Sequence, residues 1–517
     1  MVLHIALTLG VFFFGASAAA QVGSVIRSVR IGDNSGIVGL GRKDAFGCSV
    51  AALGDLNGDG VGDLAVGAFG DAAVWILFLR ANGTVLASNE INQVAGFWYG
   101  RRLAAVGDLD GDGITELATT EQTGLFILFL NPDGTLRSQT VNLYSDPLFV
   151  PPTSTAYFDS LSNNLIRLGG LCALGDLDGD GIGDVAVGAP SDPEGGTPGS
   201  QVGAAWILRL NADGTLKAAQ KINQTHGGFT GTLGSSDIFG HSLTRLGDLD
   251  SDGNPEIGVS SLTGTMDQRF WVISLAPDGT VLRQTPYGSA DYSVRFPLRH
   301  PKEYAALGDL DGDGVSEVAL SVSDTSNSFA VGFPRADGSI EKRLEVGRGR
   351  GGFGSGSGRF GEAFARLGDL DGDGAQEIAV GAPLDATRGA VWILSLDPSA
   401  VRNGSGVNPL TLSQASEPVI GTTWSATLDC SGHASGVAAI LGFSAPTAGL
   451  FSPFGEQLVT GNRIFVLSAP HASGPTLLQG NVPNKMELID LPVFVQGMCT
   501  GAPGTRLSNA LDVLVGE

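Results

Sequence analysis

Histidine, cysteine and methionine are scarce in this 517-residue chain, with six, four and four copies respectively. Charged residues make up only 16%, and 30 Lys and Arg face 53 Asp and Glu. Each shortage removes a class of function. At a formal charge of −23 too few cations remain to build the Lys/Arg clusters that phosphate backbones need, so nucleic acid is excluded as a partner. His226, His241, His300, His433 and His471 lie scattered, and no HExxH, Gly-x-Ser-x-Gly or P-loop pattern occurs. Acyl and phosphoryl transfer therefore have no visible machinery, and the chain reads as a non-enzyme with no catalytic residues to name. Beyond residue 20 no apolar run reaches the ~18 residues needed to span a bilayer. Helical patterns are missing too, because the apolar runs are short, β-branched and bounded by Gly and Asp.

Glycine, by contrast, is abundant (78 residues). That suits many short strands and tight turns, and the length demands repeats or several domains rather than one small core. Residues 1–20 read as a secretory signal. Ile5 to Gly15 is an apolar run, and Ala18, Ala19 and Ala20 form a small-residue cleavage site before Gln21. The leading region holds His4 but no Lys or Arg, so an uncleaved anchor or a misplaced start is the alternative. The expected location is outside the cell, secreted or at the surface.

Six times the pattern Asp-x-Asp/Asn-x-Asp-Gly-x-x-Asp/Glu returns. The candidate ligands are Asp55, Asn57, Asp59, Val61 and Asp63 in the first copy, and Asp108, Asp110, Asp112, Ile114 and Glu116 in the second. They are Asp176, Asp178, Asp180, Ile182 and Asp184 in the third, and Asp248, Asp250, Asp252, Asn254 and Glu256 in the fourth. The fifth has Asp309, Asp311, Asp313, Val315 and Glu317, and the sixth Asp369, Asp371, Asp373, Ala375 and Glu377. Positions 1, 3 and 5 offer side-chain oxygens, position 7 a backbone carbonyl, and position 9 a closing carboxylate. This is a hard-oxygen cage of the kind Ca²⁺ takes, so up to six Ca²⁺ are expected. The bidentate Glu that an EF-hand carries at position 12 is absent. Val66, Thr119, Val187, Val259, Leu320 and Val380 stand there and belong to the next strand. The loop is thus a hairpin clip in which the ion fastens two strands. Of the 53 carboxylates, 23 sit in these cages, and six Ca²⁺ would bring −23 to −11.

The cages recur at spacings of 53, 68, 72, 61 and 60 residues. Before each comes a small-residue strand ending in Gly-Asp, and after it a second strand such as LAVGAF or VAVGAP. A third follows with aromatic and branched residues: AVWILFL (73–79), GLFILFL (124–130), AAWILRL (204–210), FWVISL (270–275), SFAVGF (328–333) and AVWILSL (390–396). An Asn-Gly or Asp-Gly turn then leads into a polar fourth strand. Four antiparallel strands per period of this length describe a propeller blade, so the expected fold is an all-β, six-bladed β-propeller, with seven blades as the alternative. The sixth unit lacks its fourth strand, and residues 24–36 (SVIRSVRIGDNSG) resemble one. They are expected to close the ring and so remove its exposed strand edges.

Phe46-Gly47 and Phe360-Gly361 before a cage, with Gly188-Ala189-Pro190 and Gly381-Ala382-Pro383 after one, resemble FG-GAP repeats. Phe239-Gly240 and Tyr99-Gly100 are further matches or near matches. The resemblance covers about residues 24–398. It implies blades like those of integrin α-subunit propellers and of many secreted bacterial proteins. The fifth repeat departs, with Glu303-Tyr304 near the Phe-Gly position and Ser-Val-Ser in place of Gly-Ala-Pro. Integrin propellers have seven blades and only some carry cages, so their ligand-binding role is not carried over.

Residues 21–398 are therefore assigned to the propeller, 399–409 to a linker and 410–517 to a β-sandwich of strand-like runs separated by turns. Cys430 and Cys499 are a candidate disulfide pair there. Cys48 and Cys172 read as buried thiols. Trp424 reads as core, with sugar stacking as the alternative. The Arg-bearing loop Gly347–Arg359, with Arg348, Arg350 and Arg359, reads as a solvated connection or else an anion contact. The leading expectation is a calcium-stabilised, non-catalytic interaction or adhesion module for an extracellular protein or matrix. The alternatives are a glycan-binding or glycan-degrading propeller and a structural cell-surface component.

Overall fold

The computed structural model describes residues 25–514 except 34–36, 38, 42–43, 93–97, 122–123, 144–168, 193–200, 250–251, 263–267, 288–303, 309, 311–315, 322–326, 335–339, 348–352, 354–356, 373–374, 397–400, 403–411, 415–422, 434, 453, 472–473, 484–491 and 503. The signal-peptide reading of residues 1–20 lies outside the described residues. The chain forms two compact units, one of them Val22–Ser399 and the other containing Ala400–Glu517.

The first unit is led by β1 (Val25–Gly32) and then runs sheet by sheet. The first sheet is β2 (Val50–Gly54), β3 (Asp63–Ala68), β4 (Ala73–Leu79) and β5 (Val85–Asn92). The second is β6 (Leu103–Gly107), β7 (Glu116–Thr120), β8 (Gly124–Leu130) and β9 (Leu136–Leu143). The third is β10 (Leu171–Gly175), β11 (Asp184–Ala189), β12 (Ala204–Leu210) and β13 (Leu216–Ile222). The fourth is β14 (Leu243–Gly247), β15 (Glu256–Leu262), β16 (Gln268–Leu275) and β17 (Val281–Tyr287). The fifth is β18 (Tyr304–Gly308), β19 (Glu317–Ser321), β20 (Ser328–Pro334) and β21 (Ile340–Gly347). The sixth has β22 (Phe364–Gly368), β23 (Gln376–Ala382) and β24 (Ala390–Leu396), and β1 completes it. Among the described residues these are six four-stranded sheets, each antiparallel and in chain order apart from β1.

The ring closes twice over. β1 pairs antiparallel with β24, from Val25 opposite Leu396 to Gly32 opposite Ala390. The first strands touch in a circuit: β2 to β6, β10, β14, β18, β22 and back to β2. Those innermost strands are built from small residues, as in VAALG and LAAVG, because six backbones converge where they run. The third strands are buried on both faces, which their unbroken apolar runs anticipate; β4 and β8 are buried at every residue. Fourth strands such as β9 alternate with solvent. The core is a series of layers between adjacent sheets. One joins the third and fourth through Ile207, Phe239, Trp271 and Ile273. Another crosses the closure, placing Ile31, Val391 and Ile393 against Val66, Trp75 and Leu77.

The second unit has β25 (Val401–Arg402), β26 (Leu412–Gln414), β27 (Thr423–Asp429), β28 (Gly436–Ser452), β29 (Gly455–His471), β30 (Pro475–Asn481), β31 (Pro492–Gly501) and β32 (Gly504–Leu514). A five-stranded sheet, β25-β32-β31-β28-β29, faces a three-stranded one, β26-β27-β30. Trp424, Ala426 and Leu428 of the smaller sheet share a core with Ala438, Ile440 and Val495 of the larger. Trp424 is buried and meets Phe465 edge to face at 5.6 Å, so its side chain is core. Cys430 and Cys499 are disulfide-bonded, while Cys48 and Cys172 are buried thiols. Two sequence-based expectations need revision. Val401–Arg402, read as linker, already pairs with β32. The runs EQLVTG and RIFVLSA, read as two strands, are one 17-residue strand with a register irregularity beside Gly461-Asn462. There the turn-like dipeptide is absorbed as a bulge instead of reversing the chain.

Candidate metal centres

Every cage joins the first and second strands of a sheet. Its position-2 leucine packs on the core: Leu56, Leu109, Leu177, Leu310 and Leu370 are buried and Leu249 is half-buried. Among the described residues that anchor leaves positions 1, 3 and 5 outward and brings the position-2 N–H onto the position-9 acid. Asp63 accepts the Leu56 N–H at 3.1 Å and the Leu79 N–H at 3.1 Å. Asp184 accepts from Leu177 (3.1 Å) and Leu210 (3.0 Å). Glu116, Glu256 and Glu377 accept from Leu109 (2.7 Å), Leu249 (2.8 Å) and Leu370 (2.8 Å), and Glu317 accepts from Leu310.

Position 1 collects the turn. Asp55 takes the N–H groups of Gly58, Asp59 and Gly60 at 2.7, 2.9 and 2.7 Å. Asp108 and Asp176 do the same in the second and third cages, and Asp248 holds Asp252 and Gly253. Gly60, Gly113 and Gly181 sit at φ of +89°, +88° and +87°, a conformation that disfavours a side chain. Position 5 turns to the position-7 amide. Asp59 accepts from Val61, Asp112 from Ile114, Asp180 from Ile182 and Asp252 from Asn254, at 2.8–2.9 Å. Ala375 is buried in the sixth loop. Asp250, Asp309, Asp311, Asp313, Val315 and Asp373 lie outside the described residues.

Positions 1, 3 and 9 converge. One ligand atom from each of Asp108, Asp110 and Glu116 lies within 4.8 Å of the others, and so do those of Asp176, Asp178 and Asp184 and of Asp369, Asp371 and Glu377. Glu116 is wholly buried, yet its Oε1 has no hydrogen-bond partner, and nor does the buried Oδ1 of Asp178. A buried carboxylate oxygen left without a donor is costly, and a divalent cation satisfies it. The donor set, all hard oxygen with at least three carboxylates, fits Ca²⁺ better than a softer metal. The carboxyls show the strain of this arrangement. Burial, opposed by the backbone N–H bonds and aided by repulsion from the other cage acids, pushes Glu116 up to about 7. Burial likewise pushes Asp63 and Asp184 up to about 6 and raises Glu377.

Sequence reasoning missed the cations that face these cages. Arg137 bonds Asp110 and Asp112, and Lys217 lies 2.7 Å from Asp178 and 2.5 Å from Asp180. Arg27 of β1 reaches Asp371 (2.6 Å) and Glu377 (3.4 Å), and Arg283 lies 3.5 Å from Glu256. For Arg137, Lys217 and Arg283 the sequence signal is one basic residue two or three places after the hairpin turn, while Arg27 follows no such turn.

The Phe-Gly and Gly-Ala elements lock sheet to sheet. Phe46, Tyr99, Phe239 and Phe360 are buried, each followed by a glycine with φ between +77° and +91°. A Cβ on Gly67 would lie 1.8 Å from the Gly100 carbonyl oxygen, one on Gly188 1.8 Å from that of Gly240, and one on Gly381 2.0 Å from that of Gly47. In the Arg-bearing loop, Phe353 is buried and stacks on Phe360 at 4.7 Å. Arg359 lies 3.6 Å from Glu362, while Arg348 and Arg350 lie outside the described residues. His433 and His471, far apart in sequence, come together as buried rings 6.3 Å apart in the second unit.

A closed ring of four-stranded sheets with acidic hairpins between first and second strands, locked by paired glycines, defines a β-propeller. A model of the FG-GAP-like repeat matches residues 55–119, and one of the FG-GAP repeat matches 171–208 and 360–394. Over these stretches the chain carries FG-GAP-type repeats and is similar to integrin α chains. Integrin alpha-5 of Xenopus laevis is 25% identical over 314 residues, covering 59% of this chain and 27% of that protein. Integrin alpha-3 of Cricetulus griseus is 28% identical over 201 residues, covering 37% of this chain and 17% of that protein. The chain thus spans about a sixth to a quarter of the length of these relatives. Among solved structures, the PQQ-bound aldose sugar dehydrogenase of Streptomyces coelicolor overlaps 72% of this chain and 97% of its own, at 13% identity and a TM-score of 0.37. That overlap is too loose to bear on chemistry. No helix among the described residues is long and apolar enough to cross a membrane.

Proposed function

We propose that the ring is a calcium-stabilised interaction module, working outside the cell on an extracellular protein or matrix, with Ca²⁺ in up to six cages. The observation that carries the metal reading is the buried, partnerless Oε1 of Glu116 in a carboxylate set within 4.8 Å. Each ion would clip the first strand of a sheet to its second, so calcium serves the scaffold and the loops are left to bind. Likeness to integrin α chains supports interaction over catalysis. We assign residues 21–398 to this module, 399–409 to a connection and 410–517 to a separate sandwich of unassigned role.

A second reading, glycan binding, draws support from one cluster. The Arg101 guanidinium lies 4.7 Å over Trp98 and 5.7 Å from Phe69, with both rings half-buried. Aromatic faces beside a cation suit an acidic sugar. Calorimetric melting with and without excess chelator tests the metal reading, and a fall of at least about 10 °C on chelation is expected; an unchanged melt sinks it. A glycan array against the calcium-loaded protein then separates the binding readings, because specific sugar capture lost in Trp98→Ala favours the second.

A further inference from the structure

A β-bulge on the fourth strand sets a side chain of the chain's own at the mouth of a cage. In the second sheet Phe129 pairs with Ser138 and Leu130 with Leu136, leaving Arg137 as the extra residue. In the third, Arg209 pairs with Ala218 and Leu210 with Leu216, leaving Lys217. A bulge takes its residue out of the strand's alternation and re-aims it. Here it lays Arg137 across Asp110 and Asp112, and Lys217 across Asp178 and Asp180, positions 3 and 5 in both cases.

The first sheet has the same bulge with a different occupant. Phe78 pairs with Ala87 and Leu79 with Val85, leaving Leu86, which is 49% exposed. Position 3 of that cage is Asn57 and not an aspartate, and its amide donates to Asp59 at 3.0 Å. The bridge between positions 3 and 5 is made inside the loop. The two changes compensate in charge. Three carboxylates without a bulge cation and four carboxylates with Arg137 both come to −3. In the fourth and sixth sheets the cation comes one residue later, as Arg283 and Arg27, and reaches the position-9 glutamate.

We propose that the bulge cations Arg137 and Lys217 are tethered competitors for the metal, lowering the affinity of the second and third cages below what their carboxylates alone would give. This rests on the cages being metal sites. A unit charge ~6 Å from a divalent ion in near-aqueous surroundings weakens its binding about tenfold. An incoming ion must share Asp110 or Asp178 with the arm or push it aside. The graded charge of the bulge residue then gives one ring cages of unequal affinity.

The test is equilibrium dialysis of the full chain against radioactive calcium at graded free concentrations. In Arg137→Met/Lys217→Met, two equivalents should move to about tenfold lower free calcium. In Leu86→Lys, one equivalent should move to higher free calcium, and Lys217→Arg should leave the curve where it was. All the substituted side chains are at least partly exposed, and circular dichroism confirms folding. Superimposable curves for wild type, the double variant and Leu86→Lys overturn the inference while leaving the metal reading intact. No calcium retained by any of them at millimolar concentration overturns both.

Discussion

Replacing Gly381 by alanine adds one methyl group where the two ends of the ring meet. Gly381 lies on β23, and its backbone does not occupy the left-handed region, so alanine has no conformational objection there. On that ground alone the change would stabilise the protein by roughly 0.4–1 kcal/mol. Packing reverses the sign. The new Cβ would stand 2.0 Å from the Gly47 carbonyl oxygen and 3.1 Å from both the Gly47 carbonyl carbon and the Ala363 Cβ. Relief needs a shift of about 1 Å, and no flexible side chain is available to make it. The backbones that must part are tied together: Gly361 donates to the Gly381 carbonyl at 3.0 Å, and Gly47 donates to Gly67 at 3.0 Å. Overpacking costs about 1–3 kcal/mol and loosening two hydrogen bonds adds about 1 kcal/mol each, so after the entropic gain a net loss of about 2–4.5 kcal/mol is expected.

For a unit of this size, unfolding entropy of about 2 cal/mol/K per residue converts that loss to a fall of roughly 3–6 °C in Tm. Scanning calorimetry in millimolar calcium measures it. Gly62→Ala is the control, since its Cβ would meet only the ordinary contacts of Leu370 at 3.4 Å and the Leu367 carbonyl at 3.5 Å. Hydrogen exchange should also quicken in β1 and β24, the strands at the seam. If Gly381→Ala melts within 1 °C of wild type, the glycine lock is refuted as the reason for these glycines.

Glu116→Gln should change sign with metal. The folded pKa of Glu116, about 7, lies above its unfolded value, so the metal-free native state holds the extra proton. Stability from this group is therefore present at low pH and lost as pH rises through about 7. In chelator at pH 8 the glutamine variant should melt at or above wild type, and in calcium below it; equal behaviour in both buffers refutes the reasoning. Removing the Cys430–Cys499 bond, which closes a separation of 69 residues, should cost the second unit about 4 kcal/mol by loop entropy, read in a denaturant melt. Ile31→Ala should cost about 2–4 kcal/mol, because Ile31 is 1% exposed in the layer that crosses the seam.

Much of the ring was legible because its signals are local. A period-2 strand, an Asp-Gly turn and a cage each announce themselves within ten residues or so, and β1 could be matched to its place because SVIRSVR resembles other fourth strands. What escaped depends on partners remote in sequence. Gly381 meets Gly47, and Gly188 meets Gly240, across adjacent sheets, so Phe-Gly and Gly-Ala read as flanking marks when they are two halves of one contact. The cage-facing cations escaped because their register shifts: Arg137 follows Thr135 by two places, while Arg283 follows Thr280 by three. Position 5 was read as a ligand equal to positions 1 and 3. In the second and third cages it also holds the position-7 amide and the bulge cation, contacts that the loop pattern does not show. In the second unit, the helpful signal misled: Gly461-Asn462 is good turn chemistry, yet long pairing on both sides keeps β29 continuous.

The glycine lock, the β1 seam and the cages act on one weakness. A ring of sheets is made of units that cannot bury both faces alone, and its last sheet is completed by residues more than 350 positions away, as Arg27 and Ser395 show at 3.1 Å. Closing so long a loop is entropically unfavourable, though the cost grows only slowly with length. Interactions that exist only in the closed ring must offset it. Arg27 is one of them: it belongs to β1, yet it engages Asp371 and Glu377 of the sixth cage, so seam and cage share a side chain. An ion in that cage would compete with the seam for the same carboxylates. Metal loading and ring closure would therefore be coupled at the sixth cage. Arg27→Met should loosen the seam in chelator, and calcium should restore it only partly, because the ion replaces the charge but not the link to β1. Hydrogen exchange of β1 amides across those conditions decides the matter. Full restoration by calcium would show that the seam is held by the sheet pairing alone.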